Sequence, residues 1–136
     1  IASEAEMRLA EARALRRIVA EKLTANPKAN VLVVGDMNDR PNAAPIRELI
    51  GRRKPRLVDL RPFERREQGL GAGPRRVTWT SFFRTEDSFS RFDYILASGG
   101  MAREMDRRGT YVHAMAGWGL ASDHRPVVAR FMAEDR

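Results

Sequence analysis

The stretch from residue 31 to residue 41 constrains the fold more than any other part of this chain. Residues 31–34 are four consecutive aliphatic residues, and a run this short, ended by Gly35, predicts a buried strand rather than a helix. Asp36 and Asn38 follow directly, and side chains two positions apart leave an extended backbone on the same side. A carboxylate beside an amide can hold a cation together with a phosphate or an activated water. A polar loop that caps a helix would show the same residues.

The flanking segments indicate the fold class. Ser3 and Glu6 have the spacing of a capping box, and apolar residues then recur at helical period as far as Pro27, so we expect a surface helix of about twenty residues. Because the strand that follows is apolar on both faces, we expect it to lie in a sheet that is covered on both sides. A helix followed by a buried strand is typical of an α/β domain, and 136 residues suffice for one domain.

The rest of the chain is predicted to contain short elements. Residues 44–50 predict a short helix, and residues 61–76 predict a long loop rich in Arg, Glu and Gly. Runs of β-branched and aromatic residues predict four further strands, at residues 77–80, 92–97, 111–115 and 126–131.

Charge and composition narrow the class of partner. The net charge is +7, with 22 Arg against 3 Lys, and Arg matches phosphate oxygens bidentately, so a polyanionic substrate such as nucleic acid is favoured. A G+C-rich genome would produce the same bias, and the basic pairs are scattered rather than interleaved with aromatic residues. The absence of Cys excludes disulfides and thiolate metal sites, which fits a cytoplasmic location without requiring it. No apolar run has the length of a transmembrane segment, and the start at Ile1 leads us to expect an excised or processed piece.

Acidic and imidazole side chains lie at the ends of three predicted strands. Asp36 follows the first strand, Asp93 interrupts an otherwise apolar strand, and Asp123 with His124 precedes the last. A buried carboxylate needs partners, so we expect Asp93 to meet a cation, a His or backbone donors, with Arg91 or a nearby amide as the structural alternative. An imidazole whose tautomer is fixed by a carboxylate, together with two carboxylates that share a divalent ion, can hydrolyse a phosphate ester. Ligation rich in oxygen and free of Cys favours Mg²⁺ or Mn²⁺.

Three short motifs follow one another along the chain. They are Gly-Asp-hydrophobe-Asn at residues 35–38, Arg-x-Asp-Tyr at residues 91–94 and Ser-Asp-His-x-Pro-Val at residues 122–127. In this order they resemble the endonuclease/exonuclease/phosphatase superfamily, which includes deoxyribonuclease I-like nucleases, sphingomyelinases and inositol polyphosphate phosphatases. Each motif is short, but their combination is specific, and the resemblance spans nearly the whole chain.

The resemblance implies a four-layer α/β sandwich of two packed sheets, mixed and mainly antiparallel, with covering helices. Residues 1–136 would be the C-terminal part of such a domain and would supply one sheet, its covering helix and part of the seam. The N-terminal half of the domain, with a Gln-Glu motif whose Glu holds the metal, would be absent. It would come from the rest of a cut parent chain or from another polypeptide, or else self-association would bury the exposed face.

The resemblance also implies roles for site residues. Asp36 would orient or deprotonate the attacking water and share Mg²⁺ or Mn²⁺ with Asp123, while Asn38 and His124 would contact the substrate phosphate and Asp93 would hold His124. No organic cofactor is implied. The expected function is divalent-metal-dependent hydrolysis of phosphate esters, with a phosphodiesterase or nuclease favoured and little activity for this fragment alone. The alternatives are a non-catalytic interaction domain that keeps the fold, and a phosphomonoesterase or sphingomyelinase-type member.

Overall fold

The computed structural model describes residues 1–66, 69–70 and 78–134. In these residues the helices are α1 (Glu4–Ala25), α2 (Ala44–Ile50) and α3 (Gly99–Arg103). α1 begins at the predicted capping box, in which the Ser3 hydroxyl accepts from the Glu6 amide at 3.3 Å and the Glu6 carboxylate accepts from the Ser3 amide at 2.7 Å. The predicted bounds of α2 are confirmed, and α3 is an addition to the predicted elements. None of the helices in the described part of the chain has the length and apolar character needed to cross a membrane.

The strands account for most of the remaining regular structure. In chain order they are β1 (Leu32–Asp36), β2 (Val58–Asp59), β3 (Phe63–Arg66), β4 (Gly69–Leu70), β5 (Ser81–Phe83), β6 (Ser88–Ser90), β7 (Asp93–Ala97), β8 (Met105–Ala114) and β9 (Val127–Phe131). Single turns of 3₁₀ helix lie at Arg84–Glu86 and Trp118–Leu120. Helices together with these strands confirm the α/β class.

Two of the sheets pack face to face. The first has the strand order β1-β7-β2 with antiparallel pairs, and the second has the order β4-β3-β8-β9 with β3 parallel to β8, while β5 and β6 form a separate hairpin. One face of β7 carries Ile95 and Ala97, which pack with partly buried side chains of α3, β8 and β9. The opposite face carries Tyr94 and Leu96, which pack under α1 and α2. The layers are therefore helices, first sheet and second sheet.

The second sheet corrects the expectation that this chain supplies one sheet. β8 begins at Met105, well before the predicted start at residue 111, and it pairs with both β3 and β9. Part of the predicted loop at residues 61–76 is therefore strand, at β3 and β4, while residues 67–68 and 71–77 lie outside the described residues. The pairing of β3 with β8 joins segments that are far apart in sequence, so local composition does not reveal it.

The predicted strand at residues 77–80 is wrong over its described part, because the strand begins at Ser81. Thr80 is fully buried, and its amide donates to the Ser90 carbonyl at 2.9 Å. Its hydroxyl accepts from the amides of Phe92 and Asp93 at 3.0 and 3.1 Å. These bonds hold the β5–β6 hairpin against the start of β7.

β1 is an edge strand of the first sheet, and one of its faces is uncovered in the described residues. Val33 is buried under the helices, whereas Leu32 is 39% exposed and Val34 is 62% exposed. Their register partners on β7, Ala97 and Ile95, are buried against the second sheet. The expectation of a sheet covered on both sides is therefore wrong at β1, since the described part of the second sheet does not extend over that edge.

Candidate active site

The candidate functional side chains gather where β1 ends and β7 begins. The register of these strands pairs Asp36 with Asp93, so both carboxylates leave the same face of the sheet. His124 arrives from the segment before β9, where it forms an isolated antiparallel bridge with Ser81. Segments that are far apart in sequence therefore converge at one end of the first sheet.

Asp93 and His124 form a hydrogen-bonded pair. His124 Nδ1 lies 2.8 Å from Asp93 Oδ2, and the two side chains are 31% and 21% exposed. Because an ionised carboxylate only accepts, Nδ1 carries the proton and Nε2 faces the site. The alternative that Arg91 satisfies Asp93 is wrong, because the Arg91 guanidinium forks onto Asp59 at 2.6 and 3.0 Å.

The surrounding fold fixes both members of this pair. The Thr80 hydroxyl accepts from the Asp93 amide at 3.1 Å, and the His124 amide donates to Ser122 Oγ at 3.0 Å. Trp118 Nε1 donates to the His124 carbonyl. Sequence analysis missed Thr80 and Trp118 as supports of the site, because neither residue type carries a mark of its distant hydrogen-bond partner.

The surroundings of His124 raise its pKa. Partial burial by itself lowers the pKa, since burial disfavours the charged ring. The hydrogen bond to Asp93 and the negative charges of Asp93, Asp36 and Asp123 act in the opposite direction and outweigh burial, so the pKa of His124 lies above its ordinary value of 6.5. The protonated ring is therefore more populated at neutral pH than in a free histidine.

Asp36 and Asn38 occupy the exposed side of the cluster. The Asp36 side chain is 48% exposed, and its Oδ2 lies 3.9 Å from His124 Nε2. Its Oδ1 accepts from the Asn38 amide at 2.8 Å, and Asn38 has a left-handed φ of 48°. The expectation that the side chains of Asp36 and Asn38 lie on the same side required an extended backbone. The backbone is not extended here, because the Asp36 carboxylate closes a tight turn onto Asn38.

Tyr94 connects the two sides of the cluster. It is 2% exposed, and its hydroxyl lies 2.8 Å from the carbonyl oxygen of Asp39 and 3.0 Å from that of Arg91. The first carbonyl directly follows Asn38 and the second lies two residues before Asp93, so one phenol bridges both segments. Burial raises the pKa of Tyr94 to about 12, against the lowering effect of Arg91, and the hydroxyl therefore keeps its proton.

Asp123 lies beside the cluster of Asp36, Asp93 and His124. Its side chain is exposed, and its backbone carbonyl accepts from the Phe82 amide at 2.9 Å. It adds negative charge near His124 and lines a neighbouring cavity of about 360 Å³. The structure thus groups the three side chains and leaves Asp123 at the rim.

The donor set suits a hard divalent cation. Asp36, Asp93 and His124 each place one ligand atom within 4.8 Å of the others. Asp36 and Asp123 have exposed side chains, whereas Asp93 is 21% exposed and bonded to His124, so the carboxylates of Asp36 and Asp123 are the more accessible donors. Mg²⁺ and Mn²⁺ take mainly carboxylate, carbonyl and water oxygens. The residues present therefore fit such an ion in charge and in donor type.

Comparison with known proteins gives a match to one family model. A family model described as "Endonuclease/Exonuclease/phosphatase family" matches residues 3–124, a span that runs from the start of α1 to His124. Curated proteins and solved structures gave no match to the chain. The matched span contains the whole cluster described above together with Asn38 and Asp123.

Proposed function

The chain belongs to the endonuclease/exonuclease/phosphatase family, whose members are generally hydrolases of phosphate esters, and from this premise we propose that it is a divalent-metal-dependent phosphodiesterase or nuclease. The observation that carries the proposal is the Asp93–His124 pair facing Asp36, with His124 Nε2 3.9 Å from the Asp36 carboxylate. An imidazolium and a carboxylate held side by side in this way can serve the two needs of phosphoryl transfer, which are charge stabilisation and a positioned water.

In the proposed mechanism His124 contacts a phosphate oxygen. Asp93 orients the ring through Nδ1, and the raised pKa of His124 favours a proton on Nε2. Nε2 then donates to a non-bridging oxygen, on which negative charge develops as the water oxygen bonds to phosphorus and the bond from phosphorus to the ester oxygen breaks. The attacking water loses its proton to Asp36 or to solvent, and the leaving oxygen takes up a proton from solvent.

Asp36 and Asn38 act on the same phosphate from positions beside His124. Asp36 orients the attacking water or accepts its proton, and the Asn38 side-chain amide donates to the scissile phosphate. Both side chains are exposed, so a substrate can reach them without rearrangement of the core.

Asp36 and Asp123 would hold Mg²⁺ or Mn²⁺. When bound, such a cation supplies positive charge that polarises the phosphoryl oxygens. The carboxylate oxygens of these two residues carry the exposed negative charge that attracts the ion, while Asp93 remains engaged with His124.

We also propose that residues 1–136 form the C-terminal part of a larger sandwich whose remaining part covers β1. The support is the exposure of Leu32 and Val34 on a face that is buried at the neighbouring strand β7. Edge strands with an apolar, uncovered face are sites of further strand pairing or association. The cover would be the N-terminal half of the family domain or a second copy of this chain.

The molecular mass in solution, measured by light scattering, tests which partner covers the exposed face of β1. A dimer that Val34→Lys dissociates supports the second copy. A monomer that gains hydrolytic activity on addition of the N-terminal half, encoded upstream with a Gln-Glu motif, supports the larger domain. A monomer that is fully active alone and indifferent to Val34→Lys contradicts the proposal.

The proposed function is tested on the complete domain, which is residues 1–136 together with the cover that the mass measurement identifies. The substrates are bis(p-nitrophenyl) phosphate, supercoiled DNA and inositol phosphates, each with Mg²⁺ and with chelator. We expect cleavage of the diester and of DNA with Mg²⁺ and none with chelator. His124→Ala should lower turnover by about 10²- to 10⁴-fold with little loss of folding. The control is Arg17→Ala, which removes an exposed cationic side chain of α1 outside the cluster. Near-normal hydrolysis by His124→Ala would refute the assignment, and a lack of all hydrolysis would favour a non-catalytic interaction domain.

A further inference from the structure

The β5–β6 hairpin presents an aromatic ring that the proposed reaction does not use. Phe83 is 52% exposed and makes no ring contact with the described residues. Phe89 on the same hairpin is 56% exposed, but it stacks on Phe82 at 4.6 Å and meets Trp79 edge-on at 4.8 Å. A single exposed Phe is ordinary on a protein surface, so exposure alone does not indicate a binding role for Phe83, and its position relative to the site has to be considered.

Phe83 lies on the same side of the hairpin as the catalytic imidazole. Ser81 and His124 are partners in an antiparallel bridge, so their side chains leave on one side. Phe83 follows Ser81 by two residues in β5 and shares that side, about 7 Å further along the strand. Phe89 is the register partner of Phe82 and lies on the opposite face.

A cavity of about 360 Å³ opens between this hairpin and the segment before His124, and Phe83, Arg84, Leu120 and Asp123 are among its lining residues. Phe83 and Leu120, the latter 95% exposed, place apolar side chains at its edge, and Asp123 lies between it and the cluster of Asp36, Asp93 and His124. The Arg84 side chain forms no ion pair within the described part of the chain, so its charge is available at the rim. The volume lies within the range of about 300–1,000 Å³ that small-molecule sites occupy.

We infer that this cavity is a subsite for a nucleotide next to the scissile phosphate, with the base against Phe83 and the following phosphate at Arg84. The inference rests on the proposed phosphodiesterase function and names its substrate class as a polynucleotide. Every base has a flat face that can stack on a Phe ring, and a guanidinium matches phosphate oxygens bidentately. The subsite therefore recognises a nucleotide unit without selecting its sequence.

The tip of the hairpin disfavours a lipid surface as the occupant. Glu86 is the last residue of the short 3₁₀ turn that begins at Arg84, and Asp87 follows it directly. Both side chains are exposed. Insertion of this tip into a bilayer would bring carboxylates against headgroups that are often anionic and would desolvate them. A base that enters the cavity from the side meets Phe83 and leaves these carboxylates in water.

Oligonucleotide binding in chelator tests the subsite separately from the reaction, because it requires no hydrolysis. The probes are a short oligothymidylate and an abasic oligonucleotide of equal length and charge. We expect the complete domain to bind the oligothymidylate about tenfold more tightly, the size of one stacked base. Phe83→Leu should abolish this preference, and Phe83→Tyr, which keeps the ring, should retain it.

Phe89→Leu is the matched control, since it removes an equally exposed ring from the other face, and it should keep the preference. Gly119 lines the cavity, so Gly119→Leu should reduce the preference by narrowing it, and an added Cβ that meets nothing within 4 Å should leave the fold intact. Equal binding of both probes by the unsubstituted domain, or sensitivity to Phe89→Leu in place of Phe83→Leu, would overturn the inference. Phe83-dependent binding to phosphatidylcholine vesicles without a preference between the probes would overturn it in favour of a lipid surface. A retained preference in a protein that hydrolyses nothing would refute the proposed reaction and support the subsite.

Discussion

The Asp93–His124 pair and Asp36 face each other across 3.9 Å, but the fold holds them in different ways. The pair is partly buried, and a buried Thr80 hydroxyl and the Trp118 indole bond to its backbone. Asp36 ends an edge strand with its side chain 48% exposed, and a backbone amide of the following turn donates to it. One side is positioned by the core, and the other is positioned by a local turn.

Because the two sides are held differently, substitutions on them should affect activity and stability to different extents. Changes to the Asp93–His124 pair remove one partly buried hydrogen bond, so they should lower turnover strongly and the free energy of unfolding modestly. Changes on the exposed side alter charge at a solvated turn, so they should lower turnover alone. A substitution whose effect on turnover or on the free energy of unfolding departs from this expectation would show that its side is positioned in a different way.

Asp36→Asn should have the largest effect on activity. In the proposed mechanism Asp36 is a metal donor and orients the attacking water, so the loss of its charge should lower turnover with Mg²⁺ by about 10²- to 10⁴-fold. The free energy of unfolding should change by less than about 0.5 kcal/mol, because the side chain is half-exposed. Paired hydrolysis and denaturant-unfolding measurements check this, with Glu21→Gln on the exposed face of α1 as the control. A large loss of stability in Asp36→Asn would show that the exposed side is also part of the folded framework.

Asp93→Asn should lower turnover by about 10²-fold and should also change the titration of His124. Without the carboxylate, the pKa of His124 should fall from its raised value toward 6.5, as followed by NMR of the imidazole in chelator. A raised folded-state pKa means that the proton stabilises the fold; this contribution is full below pH 6.5 and is lost as pH rises through the raised pKa. The stability difference between the metal-free parent protein and the variant should therefore shrink as pH rises. An unchanged His124 titration would show that the hydrogen bond does not control the ring.

Tyr94→Phe should have an intermediate effect that distinguishes positioning from chemistry. Removing the hydroxyl leaves the carbonyls of Asp39 and Arg91 without their shared donor, which should cost about 1–3 kcal/mol of unfolding free energy. Turnover should fall roughly tenfold through misplacement of the two segments, less than the 10²-fold that a displacement of 1 Å can cause. The fall should appear in kcat with KM and the Mg²⁺ affinity little changed. A loss of Mg²⁺ affinity equal to that of Asp36→Asn would contradict a role in positioning alone.

Part of this site follows from the sequence because polar residues interrupt or end short apolar runs. Asp36 and Asn38 after the first strand, Asp93 in an apolar strand and His124 before the last strand stand out in this way, and the structure brings them together. The start of α1 follows from the same kind of local signal, since both partners of its capping box lie within one turn.

The remainder depends on partners that are distant in sequence. The register of β3 with β8, the burial of Thr80 against the start of β7 and the two carbonyls reached by Tyr94 each join residues that local patterns cannot pair. The uncovered face of β1 escapes prediction for the same reason, since an apolar run shows that a strand prefers burial and does not show what buries it.

Arg8→Ala should have the smallest effect and is the sharpest test of how the exposed side is held. Arg8 Nε donates to Asp39 Oδ2 at 2.9 Å, with side chains 25% and 17% exposed, so the pair should contribute at most about 1 kcal/mol. Arg13→Ala on an exposed face of α1 is the control and should have no measurable effect. Because Asp39 also accepts from Tyr94, Arg8→Ala and Tyr94→Phe should interact in a double-mutant cycle by about 0.5 kcal/mol or more. Additive effects would mean that α1 and the buried phenol hold the turn independently, and the turn would then be as firmly positioned as the Asp93–His124 side.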